Sequence, residues 1–439
     1  MPPLFFEQPN MRMNFMDKTT TLFPEQLQQE IKQRFHFVDQ DYTGKHRVFM
    51  DNAGGSFRLK SAVERLAMID AIPDCSERVH NVARHLQDIE AEGADDVRLI
   101  FNARSGAVFA SLTASGAMFD VIRAIAENVE GGNIVTTVLE HPSAFDAASY
   151  YAARTGKQLR VAPSNATTGG IDVDAIVALV DDQTCLLSVI YASNISGAKM
   201  DIEQIVRRAR EIKPDLYIVV DAVQHAPHGI IDVEKTPVDA MNIAPYKFFG
   251  CRGSGMTWLS DRMARLPHHK LAAKGEAVWT LGSPAPAQFA VVTAIVDYVC
   301  WLGRQFADSS VRRDCFVEGM RRIELHERAL LGRLLDGSED VPGLRVIDGV
   351  TVHLDHPDLA TRDLIVAISL DGYTPAEAVR EYEKRGIIVY ERVQSSLYSQ
   401  RMLASFGIEG AIRISPLHCH SVADLDQFLR ITAELAAGR

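Results

Sequence analysis

Short apolar runs alternate along this chain with stretches of helical period. The runs at Val108–Leu112, Asn133–Leu139, Leu159–Ala162, Thr184–Ala192, Leu216–Val220, Asp239–Ala244 and Met256–Leu259 are rich in Val, Ile and Leu and are bounded by turn residues, which predicts buried strands. Between them helical patterns begin at Lys60, run from Gln87 to Asn102 with Gly93 as a break, and continue from Thr113 to Asn128, after Pro142, over Val173–Val180 and from the cap Asp201 with Gln204 at its third position. This alternation predicts an α/β fold with a mostly parallel sheet covered on both faces. In such a sheet ligands bind outside the carboxyl ends of the strands.

An apolar helix, Phe289 to Leu302, and a charged one, Arg312 to Leu335, lead into a region of different rhythm. There Leu344–Ile347, Leu364–Leu370, Ile387–Tyr390 and Ala411–Ser415 read as strands. Thr374-Pro375-Ala376-Glu377 is a capping box with proline at the first helical position, and Ser421 starts a terminal amphipathic helix. The expected organisation is an arm over 1–46, a large α/β domain over 47–308 and a smaller α+β domain over 309–439. The arm is irregular apart from a short helix near Pro24–Phe35, a kind of segment that packs across a neighbour.

Composition narrows the function. Hydrophobic residues make up 47% and charged residues 23%, as in an ordinary globular protein. With 46 basic against 57 acidic residues the net charge is −11, which disfavours a nucleic-acid partner. No apolar stretch reads as a membrane span, and the N-terminus lacks the charged and apolar regions of an export signal. The cysteines, Cys75, Cys185, Cys251, Cys300, Cys315 and Cys419, show no paired or zinc-like spacing, which suggests reduced thiols in a cytoplasmic setting. His418-Cys419-His420 lacks a second ligand cluster, so no metal site is expected there.

Candidate chemistry gathers at the predicted strand ends. Asp221 closes one strand, with Gln224 and His225 just after it, and Tyr246-Lys247 follow the next. A carboxylate and a lysine facing one crevice are what pyridoxal phosphate (PLP) chemistry needs: an amine to capture the aldehyde, and an acid to keep the pyridine nitrogen protonated. Thr113-Ala114-Ser115-Gly116 opens a helix, where free N–H groups and the helix dipole favour phosphate, although an ordinary N-cap fits equally well. His141 and Asn194 also lie just past strand ends. Asp51-Asn52-Ala53-Gly54-Gly55-Ser56 allows close backbone approach. Arg413 sits inside an apolar strand, either in a structural salt bridge or as a bidentate clamp for a substrate carboxylate.

In order, DNAGG, the Thr113 turn, Glu140-His141-Pro142, Ala192-Ser193-Asn194, Asp221-x-x-Gln224, Tyr246-Lys247, Gly282-Ser283-Pro284 and Arg413-Ile414-Ser415 resemble the class V aminotransferase group of PLP enzymes. That group includes the cysteine desulfurases, selenocysteine lyases, kynureninases and isopenicillin N epimerases. The resemblance implies fold type I, the aspartate aminotransferase-like α/β fold, with a smaller C-terminal domain. It makes Lys247 the Schiff-base lysine, Asp221 the partner of the pyridine nitrogen, Gln224 that of the ring hydroxyl, and His141 the residue against the ring face. Thr113, Ala114 and Tyr246 would surround the phosphate, with His225 nearby. Ser283 would reach the cofactor of the other subunit, implying a homodimer with shared active sites. Asn194, Arg413 and Asn52 would meet an amino-acid substrate. The loop Glu391–Leu397 carries no cysteine where desulfurases carry their nucleophile, which turns the expectation toward transamination. Cysteine-independent C–S or C–Se lysis and epimerisation are the rivals. Intact Lys247 and Asp221 argue against an inert scaffold.

Overall fold

The computed structural model describes residues 21–438; the reading of the first twenty residues lies outside them. β1 (Val48–Phe49) precedes the seven strands of the main sheet: β2 (Ala107–Ser111), β3 (Asn133–Thr137), β4 (Gln158–Ala162), β5 (Thr184–Ile190), β6 (Tyr217–Asp221), β7 (Ala240–Ile243) and β8 (Gly255–Leu259). Their spatial order is β2-β8-β7-β6-β5-β3-β4, parallel from β4 to β7, with β8 antiparallel to both neighbours. All seven side chains of β5 are buried, as expected for a strand covered on both faces. The helix Ile202–Ile212 shows how the covering layer is specified. Asp201 accepts the Gln204 N–H at 3.0 Å as its cap, and Ile202, Ile205, Val206 and Ala209 form its buried stripe. The second half of that capping box is not made, because the Gln204 side chain instead accepts from Arg207.

Two helices depart from expectation in an instructive way. Asn81–Phe101 runs unbroken through Gly93, because the glycine lies against another helix: a Cβ there would sit 2.5 Å from Cβ of Phe289. Its partner, Pro286–Arg304, is long and apolar enough to cross a membrane by length and composition, against the sequence reading, yet most of that window is buried inside the protein. It packs between Lys60–Asp70, Asn81–Phe101 and Arg312–Asp336 as a core helix.

The second sheet has the order β12-β13-β10-β9, from β9 (Val350–His353), β10 (Val366–Leu370), β12 (Tyr390–Val393) and β13 (Gly410–Ile414), all antiparallel. A separate apolar cluster lies beneath it, built on Leu334, Val366, Ile368, Ile412 and Phe428. The strand expected at Leu344–Ile347 is not formed. Leu344 and Arg345 donate their N–H groups to the carbonyls of Leu334 and Leu335, closing the end of the preceding helix, and the edge strand comes later at Val350. The strand expected over Ile387–Tyr390 divides into β11 (Ile387–Ile388), which pairs in parallel with β1, and β12. That pairing ties residues 48–50 to the C-terminal region, and Val48 and Met50 belong to its cluster. The helix Glu25–Gln33, read as part of an arm, buries Leu27 and Ile31 in the main core of its own chain, and Gln28 donates to the carbonyls of His418 and Cys419. His418 in turn hydrogen-bonds the Tyr298 hydroxyl at 2.7 Å.

Candidate active site

The carboxyl ends of the parallel strands open onto a cavity of about 350 Å³. Thr113 follows β2, His141 follows β3, Asn194 follows β5, Asp221 closes β6 and Lys247 follows β7, and all of them line it, together with Ala114, Gln224 and Tyr246. A second chamber of about 280 Å³ adjoins it, sharing His141, Asn194, Tyr246 and Lys247 and adding Asp51, Gly54, Tyr390, Arg392, Tyr398 and Arg413.

Lys247 ends a single 3-10 turn, Pro245–Lys247, that the DNAGGS segment clamps from behind. The Tyr246 carbonyl accepts from the Ser56 N–H at 3.1 Å and from the Arg58 guanidinium at 2.7 Å, while the Ser56 hydroxyl accepts from the Phe249 N–H at 2.9 Å. Phe249 is thereby held at φ +64°, a left-handed conformation uncommon for a bulky residue. Gln224 donates to the Ala53 carbonyl at 3.0 Å, so three motifs far apart in sequence form one rigid rim. Burial, and then the charge of Arg413, push the Lys247 amine down to about 8, with Asp221 pulling the other way. Burial pushes the Asp221 carboxyl up, against the Val223 N–H at 3.0 Å and the charge of Lys247.

One end of the larger cavity is shaped for an anion. Thr113 caps the helix Ala114–Asn128 by accepting the Gly116 N–H at 3.0 Å, and Thr113, Ala114 and Ser115 present that helix start to the cavity. β8 can lie so close only because residue 255 is glycine: a Cβ would sit 2.3 Å from the Ala114 nitrogen. The Ser254 hydroxyl is buried at the cavity wall without a partner, and Arg252 lies over the Tyr246 ring at 4.4 Å. An orphaned hydroxyl, a helix N-terminus and a guanidinium around one end fit a phosphate, and the buried acid and amine fit the ring nitrogen and aldehyde of PLP. Burial pushes His141 down to about 3, so its imidazole is neutral; the ring accepts the Ser143 N–H and hydrogen-bonds its hydroxyl at 2.7 Å. A neutral flat ring held in this way suits a place against a cofactor face.

Three candidates from the sequence lie elsewhere. Asn52 is consumed by backbone: its amide donates to the Phe49 and Ser415 carbonyls and accepts the Phe57 N–H, and its neighbours Asp51 and Gly54 reach the second chamber instead. His225, expected near the phosphate, pairs with Asp363 at 3.1 Å, stacks on Tyr191 and lines a different cavity. Ser283 lines neither chamber; its hydroxyl donates to Glu77 at 2.9 Å on the surface. Arg413 does reach the second chamber, where its Nη2 donates to Asp51 at 2.5 Å and its Nη1 to the Asn194 carbonyl at 3.3 Å, while its Nε has no partner. Residues that the sequence reading passed over are Asp51, Arg252, Ser254, Arg392 and Tyr398. Arg392 lacked the signal of Arg413: it follows Glu391 in what reads as a loop rather than sitting inside an apolar strand.

The class-V aminotransferase family model matches residues 48–303. A probable cysteine desulfurase of Streptomyces coelicolor is 28% identical over 388 residues, covering 82% of this chain and 86% of that protein. A cysteine desulfurase of Synechococcus elongatus is 23% identical over 421 residues, covering 93% of this chain and 64% of that longer protein. Among solved structures, a cysteine desulfurase from Escherichia coli superposes with a TM-score of 0.76 at 19% identity, over 95% of this chain and 99% of that one. The apo cysteine desulfurase of Thermococcus onnurineus gives 0.74 at 19% identity, over 90% and 95%. These likenesses place the fold among the type I PLP enzymes, and with a family match spanning more than half its length the chain belongs to the class-V aminotransferases, a family of PLP-dependent enzymes.

Proposed function

We propose that this chain acts at Cα of an amino acid as a homodimeric, cytoplasmic PLP enzyme whose leading reaction is transamination. The observation that carries the reading is the meeting of Lys247 and Asp221 in one cavity, with the lysine amine pushed down to about 8. When bound, PLP supplies an electron sink for the pair left on Cα. Lys247 would hold the cofactor and, as a free amine, would carry the Cα proton on Nζ; burial brings its pKa down to about 8, closer to neutral pH than that of an ordinary lysine. Asp221 would keep the proton on the ring nitrogen. Thr113, Ser115, Ser254, Arg252 and Tyr246 would hold the phosphate, and Gln224 the ring hydroxyl.

Transamination is favoured over desulfuration because Ser395, Ser396 and Leu397 occupy the loop after β12, and none of the six cysteines lines either chamber. The relatives' names, cysteine desulfurases, favour a second reading, C–S lysis, here by a route that uses no cysteine, with C–Se lysis beside it; epimerisation requires only the same first deprotonation. A dimer is supported by Leu112, 85% exposed at the cavity rim, and by Ser283, which is on the surface and away from its own chain's cavity. The six free cysteines support a reducing compartment.

The purified protein supplied with PLP should show the yellow absorbance of a lysine-linked cofactor, lost in Lys247→Ala. Its absence from the wild type refutes the proposal. Product analysis then decides the reaction: an oxo acid with the pyridoxamine form of the cofactor for transamination, released sulfur or selenium for lysis, or an inverted centre with no new product.

A further inference from the structure

The turn after β6 serves two cavities. Asp221 and Gln224 line the first, while His225, the next residue, lines another of about 430 Å³ that shares no residue with it and has the size of a small-molecule site. His225 is only 4% exposed. A carboxylate can only accept, so Nδ1–H of His225 donates to Asp363 at 3.1 Å. In the neutral ring that bond leaves Nε2 as an acceptor, and Nε2 has no hydrogen-bond partner among the described residues. Gly229, also at the cavity, keeps this edge of the ring clear: a Cβ there would sit 2.7 Å from Nε2. Tyr191 stacks on the imidazole with 4.2 Å between ring centroids, which fixes its plane.

The surrounding charge decides what this nitrogen can accept from. Asp201, Glu203, Asp232 and Glu324 line the cavity against Lys199 and Lys235. Lys199 is paired with Glu324 at 3.4 Å and Lys235 with Glu203 at 2.8 Å, so both ammoniums are already balanced. Asp201 and Asp232 are left over; they accept backbone N–H groups, and among the described residues neither has a cation within ion-pair distance. An incoming anion would meet this surplus of carboxylates, and a cation would relieve it. Met200, Ile202 and Ile231 give the cavity an apolar wall.

We propose that this cavity is a binding site for a small organic cation, a primary amine whose ammonium donates to Nε2 of His225 and whose carbon chain lies along Met200, Ile202 and Ile231. The two carboxylates in excess suit a short diamine. The site is separate from the cofactor cavity, so the inference does not rest on the PLP reading.

The test uses the PLP-loaded protein after borohydride reduction, which ties the cofactor to its lysine so that an added amine does not react there; a protein that takes up no PLP is titrated as purified. Calorimetric titration with 1,4-diaminobutane should show one site in about the millimolar range, with succinate and 1,4-butanediol, of the same length, at least tenfold weaker. His225→Gln should weaken the diamine about tenfold. Because the His225–Asp363 bond also joins distant parts of the chain, two variants nearer the surface give an independent arm. Glu324→Gln frees the Lys199 ammonium and should weaken the diamine about threefold, and Lys199→Gln frees the Glu324 carboxylate and should strengthen it by a similar factor. Succinate binding as well as the diamine, or no diamine binding at all, overturns the proposal. So does a diamine affinity that is unchanged in His225→Gln, or one that does not move in opposite directions in the two charge variants.

Discussion

Replacing Lys247 with methionine should stabilise the cofactor-free protein. The substitution exchanges an ammonium for an apolar side chain of similar reach, at a site where burial and Arg413 have moved the amine from 10.5 to about 8. At pH 7 the lysine is protonated in both native and unfolded chains, so the native state carries the full cost of holding that charge. Each pKa unit corresponds to about 1.4 kcal/mol, which puts the ceiling near 3 kcal/mol. The side chain lines the cavity and is not fully enclosed by protein, and solvent screening brings the expected gain to about 1–2 kcal/mol. The sign follows from linkage. Between the folded and unfolded pKa values the unfolded chain binds the proton that the native chain has released, so wild-type stability rises with pH from about 8 to 10.5. Lys247→Met lacks this rise, and its advantage should shrink to nothing across that window. Urea unfolding of both cofactor-free proteins, followed by circular dichroism at neutral and at alkaline pH, measures the difference. A variant no more stable at pH 7, or one whose advantage does not change with pH, would refute the claim that this amine is held under electrostatic stress.

Asp221→Asn should still take up cofactor through Lys247, with a visible absorbance band, while turnover falls by at least ~100-fold, because a neutral amide does not hold a proton on the pyridine nitrogen; near-normal turnover would remove Asp221 from its role. Gly255→Ala drives a methyl group toward the Ala114 nitrogen and must push β8 away from the helix start, so PLP titration should show affinity weakened about tenfold or more, whereas unchanged affinity would mean that the close approach is dispensable. Glu140 is buried behind the site, accepts the Ile190 N–H at 2.7 Å, and is pushed by burial up to about 8. Its contribution to stability is therefore complete below pH 4.5 and lost as pH rises toward 8; Glu140→Gln should flatten that part of the stability profile measured by thermal melting, and an unaltered slope would count against a protonated native carboxyl.

What the sequence made legible follows from how locally each feature is determined. The main sheet could be read because β3, β5 and β6 are short apolar runs closed by turn residues, and their order along the chain already implied parallel pairing. The same local rule misplaced the strand at Leu344–Ile347, whose two buried residues are three apart, a helical spacing that serves to close a helix end. Thr113, His141, Asn194, Asp221 and Lys247 could be picked out because each stands just beyond a strand, and a parallel sheet brings such positions to one edge. Asn52 and Asp51 show where that logic stops. Adjacent in a turn, they exchange roles because the Asn52 amide matches nearby backbone groups, while the Asp51 carboxylate lies within reach of Arg413, more than three hundred residues away. Arg392 is the sharper instance. In sequence it reads as part of a polar loop after Glu391, whereas Arg413 is flanked by Ile412 and Ile414. Only the antiparallel register that sets Tyr390 opposite Arg413, and so brings Arg392 beside the same chamber, together with the capture of Arg413 by Asp51, shows which guanidinium lacks an anion. Which charge is left over is a property of the assembled neighbourhood, which the residues flanking either arginine do not carry.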